Sequence, residues 1–244
     1  MAERLHKVLA RMGVGSRREI ERWIKQGLVE VDGKTAQVGA TSEGVTTVSL
    51  NGVHLTLQGE VETQFLQYHK PDDEICSRKD PEGRKSVYDH LPTLTEGRWI
   101  AIGRLDLTTS GILLFTTNGE LANALMHPSA QVDREYMVRV HGRVTQELIY
   151  NLMEGVQLND GLAKFTDIKQ RPSKGTNQWM QVVLQEGRNH EVKRMFESQG
   201  VRVTRLIRIR FGPIALDDSV KKGQHRMLTN KEVKALKALV RRAK

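Results

Sequence analysis

The chain has 244 residues, with 38 Lys or Arg against 29 Asp or Glu, and a formal net charge of +9 with His counted neutral. Its length suits one large or two modest domains, and 38% hydrophobic residues are enough for a core, which excludes global disorder. A single cysteine, Cys76, excludes an internal disulfide framework and a cysteine zinc cluster; no His-x-His or His-x-x-x-His pair marks a metal site, and no apolar run approaches the ~18 residues of a membrane span.

The opening MAERLHKVLARMG has no apolar signal region, so a cytoplasmic protein is expected. Leu5, Val8, Leu9 and Met12 recur at helical spacing over Arg4 to Met12, and Gly13 stops that helix. Ser16 with Glu19 three residues on reads as a capping box for a second helix over Arg17 to Gln26, closed by Gly27. Alternating segments then turn at Asp32-Gly33 and Asn51-Gly52, as hairpins do. The polar stretch Gln58 to Gln64 reads as a linker, so a small helix-rich domain over 1–60 precedes a larger one over 61–244.

The larger unit begins with the strand FLQYHK, stopped by Pro71, and a charged loop from Glu74 to His90. Strand-like runs follow in WIAIGRLD, GILLFTT, REYMVRVHG, KFTDIKQ and WMQVVLQ. Helical patterns fall at Glu120 to Met126, Thr145 to Glu154, Arg188 to Gln199 and Asn230 to Val240. Intermixed helices and strands joined by short turns predict an α+β fold with a mixed, mainly antiparallel sheet.

The charge is unevenly placed. From Gly187 to Lys244, 16 basic residues stand against 5 acidic ones, a net +11, which leaves −2 for Met1 to Glu186. A smaller surplus marks the first helices, through Arg4, Lys7, Arg11, Arg17, Arg18, Arg22 and Lys25; a solvated helical surface explains those charges equally well. In the last quarter, Arg202, Arg205, Arg208 and Arg210 punctuate an apparent strand and predict a row of phosphate contacts, with Arg188 and Arg194 close by. Nucleic acid is the partner that two basic surfaces suit, since Lys and Arg displace condensed counterions from phosphates.

The most informative stretch is IGRLDLTTSGILLFTTNGELANALMHP. By itself Asp106 reads as a turn former, and Tyr136 in REYMVRV as a strand aromatic. Together with EGRNHEVKRMFESQG and VRVTRLIRIRFG, however, these segments resemble, in order, the motifs of the pseudouridine synthases of the small-subunit and large-subunit rRNA type. The opening RLHKVLARMGVGSRREIERWIKQGLVEVDGK is similar to the ribosomal-S-four-like RNA-binding module that precedes the catalytic domain in that family. The phrases RKDPEGR, GELANALMHPS and TNQW lean toward the large-subunit (23S) branch, whereas HEVKRMF, with His190 and Lys193, leans toward the small-subunit (16S) branch.

The resemblance implies a catalytic aspartate at Asp106, Tyr136 against the target base, Lys193 paired with the aspartate, and Arg104 helping to hold the place of a flipped nucleotide. It implies isomerisation of uridine in rRNA, free or within an assembling subunit, by a monomer that needs no cofactor or metal. Breaking N1–C1′ and rejoining through C5 involves no redox change. Asp106 would serve either by attacking the sugar or by stabilising positive charge and taking a proton, and both roles require its ionised form. A cation within ~4–6 Å favours that form, and Lys193 and Arg104 are the candidates. Gly103 and Gly111 bracket the loop and suit close backbone approach. Cys76 reads as an idle thiol. Two other readings are a non-catalytic ribosome assembly factor that keeps the first module, and a glycosidase. The first should have lost some of Asp106, Tyr136 or Lys193, and all three are present; the second needs a paired carboxylate that the sequence does not offer.

Overall fold

A computed structural model describes residues 3–56, 62–172 and 175–242. It divides into two compact units: Met1–Gln64 with Pro92–Ile100 and Thr117–Gly119, and the remainder. The expected boundary between residues 60 and 61 falls among 57–61, outside the described residues.

In the first unit, helix α1 (Leu5–Arg11) is followed by α2 (Arg17–Lys25). The capping box forms as the sequence predicts: Ser16 Oγ accepts from Glu19 N at 3.1 Å, and Glu19 accepts from Ser16 N at 3.0 Å. Four short strands make an antiparallel sheet in the order β2 (Lys34–Thr35), β1 (Val29–Val31), β3 (Val48–Leu50), β4 (Val53–Leu55). Asp32-Gly33 and Asn51-Gly52 both take positive φ, the backbone that a tight hairpin turn demands. Leu5, Leu9, Ile20, Ile24, Val29 and Val48 are buried together between helices and sheet. Each large aliphatic side chain in such a cluster contributes about 1.5–3 kcal/mol.

The second unit is built on one large sheet. Its strands are β5 (Phe65–Lys70), β6 (Ile100–Ile102), β7 (Thr109–Thr116), β8 (Arg134–His141), β11 (Asp167–Arg171), β12 (Asn177–Leu184), β13 (Arg202–Phe211), β14 (Ile214–Ala215) and β15 (His225–Met227), and a separate hairpin pairs β9 (Val156–Leu158) with β10 (Gly161–Ala163). The main order is β11-β12-β8-β13-β7-β5-β15, with β14 on β13 and β6 on β7; along that order only β13 and β7 run parallel. The α-helices that follow α2 are α3 (Gly119–Met126), α4 (Gln146–Glu154), α5 (Glu191–Glu197) and α6 (Asn230–Arg242). Leu148 and Leu152 of α4 and Val192, Met195 and Phe196 of α5 are buried, with Phe165 and Phe196 in ring contact at 5.7 Å. The architecture is α+β, as expected.

Strand β8 shows why sheet faces matter here. Arg134, Tyr136, Val138 and Val140 are buried, and the residues between them are half-buried. Strand β13 pairs with β8 through two register shifts, between Val203 and Arg205 and between Arg208 and Arg210. These bulges decide where each arginine goes. Arg202, Arg205 and Arg210 stand opposite His141, Arg139 and Glu135 on the half-buried face, whereas Arg208 stands opposite Tyr136 on the buried face. The expected row of four phosphate contacts is therefore corrected: Arg208 is 2% exposed and belongs to the interior.

Candidate active site

Asp106 lies on the turn that leads into β7, where Asp106 O accepts from Thr109 N at 3.0 Å. Two interior groups seat this turn. The fully buried Lys70, at the end of β5, donates from Nζ to the carbonyls of Pro71, Leu107 and Thr109 at 2.9, 3.3 and 3.0 Å. Burial holds its ammonium below the usual lysine range, and the three carbonyl dipoles offset part of that cost. Cys76 Sγ accepts from Leu105 N and donates to Leu105 O, both at 3.4 Å, and burial raises its thiol pKa, so thiolate chemistry is disfavoured there.

A cavity of about 350 Å³ opens beside the turn, walled by Arg104, Asp106, Tyr136, Arg134, Arg188, His190 and Arg208 among others. That volume lies in the range of small-ligand clefts, ~300–1,000 Å³. Tyr136 is 8% exposed, with its body packed in the sheet, while Arg104 is exposed at the rim. The expected Lys193–Asp106 pair does not form. Lys193 Nζ donates to Thr108 Oγ1 at 2.8 Å, and the basic side chain beside Asp106 is instead His190, whose Nε2 lies 3.5 Å from Oδ1. His190 precedes α5 in a left-handed conformation (φ 49°), and Lys193 lies within that helix.

Arg188 and Arg194 are occupied within the unit. Arg194 forks onto both oxygens of Asp160 at 2.9 and 2.8 Å, and Arg188 bonds Glu191 at 3.0 Å and Asp160 at 3.2 Å. Arg210 pairs with Glu135, and hydrogen bonding to Arg210 helps to hold that carboxyl low against its own desolvation. In the first unit, Arg11 pairs with Glu3 at 2.9 Å and Arg4 donates to Gly39 O, whereas Arg17, Arg18, Arg22 and Lys25 are exposed and make no ion pair among the described residues. Lys7 is half-buried. Sequence reasoning missed Lys70, Arg134 and the seating of the turn by Cys76. The local signal for Lys70 was a charged residue closing a strand just before Pro71. Among the described residues no group of three His, Cys, Asp or Glu side chains is gathered for a metal.

Residues 64–198 match the RNA pseudouridylate synthase family and residues 3–41 match the S4 domain, and the chain belongs to that synthase family. It is 49% identical over 239 residues to ribosomal large subunit pseudouridine synthase B of Pseudomonas aeruginosa, covering 97% of this chain and 62% of that protein. Against the protein of the same description from Vibrio cholerae it is 51% identical over 243 residues, covering 98% of this chain and 76% of that one. A crystal structure of a pseudouridylate synthase, 27% identical, superposes with a TM-score of 0.67 over 96% of this chain and 100% of that one. Among the described residues no helix is long and apolar enough to cross a membrane.

Proposed function

We propose that this chain isomerises a uridine of large-subunit ribosomal RNA to pseudouridine. The observation that carries the reading is Asp106, placed on a doubly seated turn at a cavity that also holds Tyr136 and several arginines. A flipped-out nucleoside fits that cavity, at a few kcal/mol for extrusion from its helix. Asp106 works as a carboxylate at the sugar carbon, partnered by His190; Tyr136 flanks the base, and Arg104 stands at the rim where the displaced nucleotide enters. Lys193 fixes Thr108, two residues beyond Asp106, and so acts as a positioning residue.

The names of the relatives support the large-subunit target, and the S4 domain supports RNA engagement through Arg17, Arg18, Arg22 and Lys25. Arg202 and Arg205 extend a basic surface on the outer face of the sheet. The chain acts as a cytoplasmic monomer without cofactor, on rRNA that is free or within an assembling subunit. The test is to map pseudouridines by chemical modification and primer extension in rRNA from cells with and without the gene. One modified position should disappear from 23S rRNA. Loss from 16S rRNA instead would move the target, and unchanged maps would remove the activity.

A further inference from the structure

We propose that Arg208 is a catalytic residue that binds the carbonyl edge of the target uracil and takes up the negative charge the base acquires as its glycosidic bond breaks. This rests on the pseudouridine reading above, and extends it to a residue that sequence reasoning had placed on the surface.

The first ground is an unbalanced charge. Arg208 is 2% exposed; its Nε donates to Ile112 O at 2.8 Å, its Nη2 is buried with no hydrogen-bond partner, and it forms no ion pair among the described residues. A second buried guanidinium stands beside it. Arg134, 9% exposed, bonds only the carbonyls of Val132 and Gln185 among the described residues, at 3.1 and 2.5 Å, and both arginines sit 5.4 Å from the Phe211 ring. Desolvation holds Arg134 below its usual range, and the neighbouring Arg208 charge adds to this. The two acids that line the cavity have other partners: Glu191 bonds Arg188, and Asp106 lies 3.5 Å from His190. Burying a cation without a counter-charge is costly, so a wall built from two of them is set for an anionic guest.

The second ground is position. Arg208 stands directly opposite Tyr136 in the β8–β13 register, which places their Cβ atoms ~4.5–5.5 Å apart on one face, and both line the cavity with Asp106. The bulge beyond Arg208 turns Arg210 away to Glu135, so Arg208 alone of the Arg202, Arg205, Arg208 and Arg210 set faces inward.

The chemistry matches this placement whichever role Asp106 takes. When N1–C1′ breaks, its electron pair leaves with N1, and the uracil becomes an anion delocalised over O2 and O4. The base then turns and C5 bonds to C1′, releasing the Asp106 oxygen if it had attacked there; the C5 proton is lost to a base and N1 takes up a proton, so the net change is an isomerisation. The charge on the base exists only between bond breakage and rejoining. A fixed planar donor aimed at it stabilises that stretch of the reaction more than the bound uridine.

The test uses the full chain and an rRNA fragment carrying uridine tritiated at C5, whose label is released when the C5 proton leaves. Arg208→Met should lower the saturating single-turnover rate by ~10²–10³-fold, as loss of one charge-stabilising donor does, while the RNA Kd stays within about threefold. Arg208→Ala should behave alike and regain about tenfold or more with tens of millimolar guanidinium ion, which Asp106→Asn should not. Arg208→Lys keeps a charge and should lie between wild type and Arg208→Met, guarding against a variant that merely folds poorly. A rate within about fivefold of wild type in Arg208→Met, a loss confined to Kd, an Arg208→Ala variant indifferent to guanidinium, or an Arg208→Lys variant as inactive as Arg208→Met would each overturn the proposal. If wild type releases no label, the proposed function fails instead.

Discussion

Replacing Gly111 by Ala tests how tightly the aspartate turn and the arginine wall are joined. Gly111 lies in β7 at φ +111°, opposite Arg208 on one side and Lys70 on the other. An added Cβ would stand 2.1 Å from Arg208 O and 2.6 Å from Arg208 N, both backbone atoms that cannot swing aside. Restoring an ordinary contact requires the two strands to part by roughly 1 Å, which strains one or two ladder hydrogen bonds at about 1–3 kcal/mol each when left buried and unmade. The positive φ adds about 1–2 kcal/mol for an L side chain. The sum, on the order of 4–6 kcal/mol, should lower Tm by on the order of 10–20 °C for a chain of this size. Well below that melt, an Arg208 displaced by an ångström should still cost about a hundredfold in single-turnover rate. Gly83→Ala is the control, because Gly83 also has positive φ (+68°) but nothing within 4 Å of the added carbon. Melting followed by circular dichroism, together with C5 label release, decides the matter. A Gly111→Ala protein that melts within about 2 °C of Gly83→Ala and retains its rate would refute the close approach and the coupling argued from it.

Asp106→Asn should abolish pseudouridine formation and leave RNA affinity within a few fold, since the amide keeps the shape without the charge; turnover near wild type would unseat Asp106. Replacing Arg17, Arg18 and Arg22 together should flatten the slope of log K against log salt by about two units, at ~0.7 per phosphate for a single strand, with kcat at saturation unchanged; parallel titration lines would mean that α2 does not touch RNA. Glu232 is held at about 2 by its hydrogen bond to Arg226, against an ordinary value of 4.5. A depressed carboxyl contributes stability that is present above the ordinary value and lost as pH falls through the folded one. Glu232→Gln should therefore cost on the order of 2 kcal/mol at neutral pH, with the gap to wild type closing between pH 4.5 and 2 in denaturant titrations.

The capping box at Ser16 and the turns at Asp32-Gly33 and Asn51-Gly52 were legible because each is decided within a few residues of chain. The long strands and the helices of the larger unit were legible from hydrophobic period, whereas β9, β10, β14 and β15, two or three residues each, are too short to show one. What escaped was whatever depended on register. Counting alternation through RLIRIR cannot show that two bulges send Arg208 inward and Arg210 outward, because a bulge is fixed by the partner strand. Lys70 escaped for a related reason: β5 lies inside the sheet order, so a charge at its end is enclosed by neighbours the sequence does not name. The expected Lys193 pair gave way to tertiary contacts that a sequence does not place: Lys193 bonds Thr108, and His190 lies beside Asp106.

The thiol of Cys76 bears on how inactivation data should be read. Because Sγ is tied both ways to the backbone of Leu105, a maleimide or an oxidant that adds bulk to sulfur wedges the segment away from the residue that precedes Asp106. Activity would then fall, and substrate or a reductant would protect it, in the pattern usually taken to indicate a sulfur nucleophile. Cys76→Ser should separate the two explanations. Its hydroxyl can make the same pair of bonds, so the variant should keep full turnover and lose its sensitivity to the reagent.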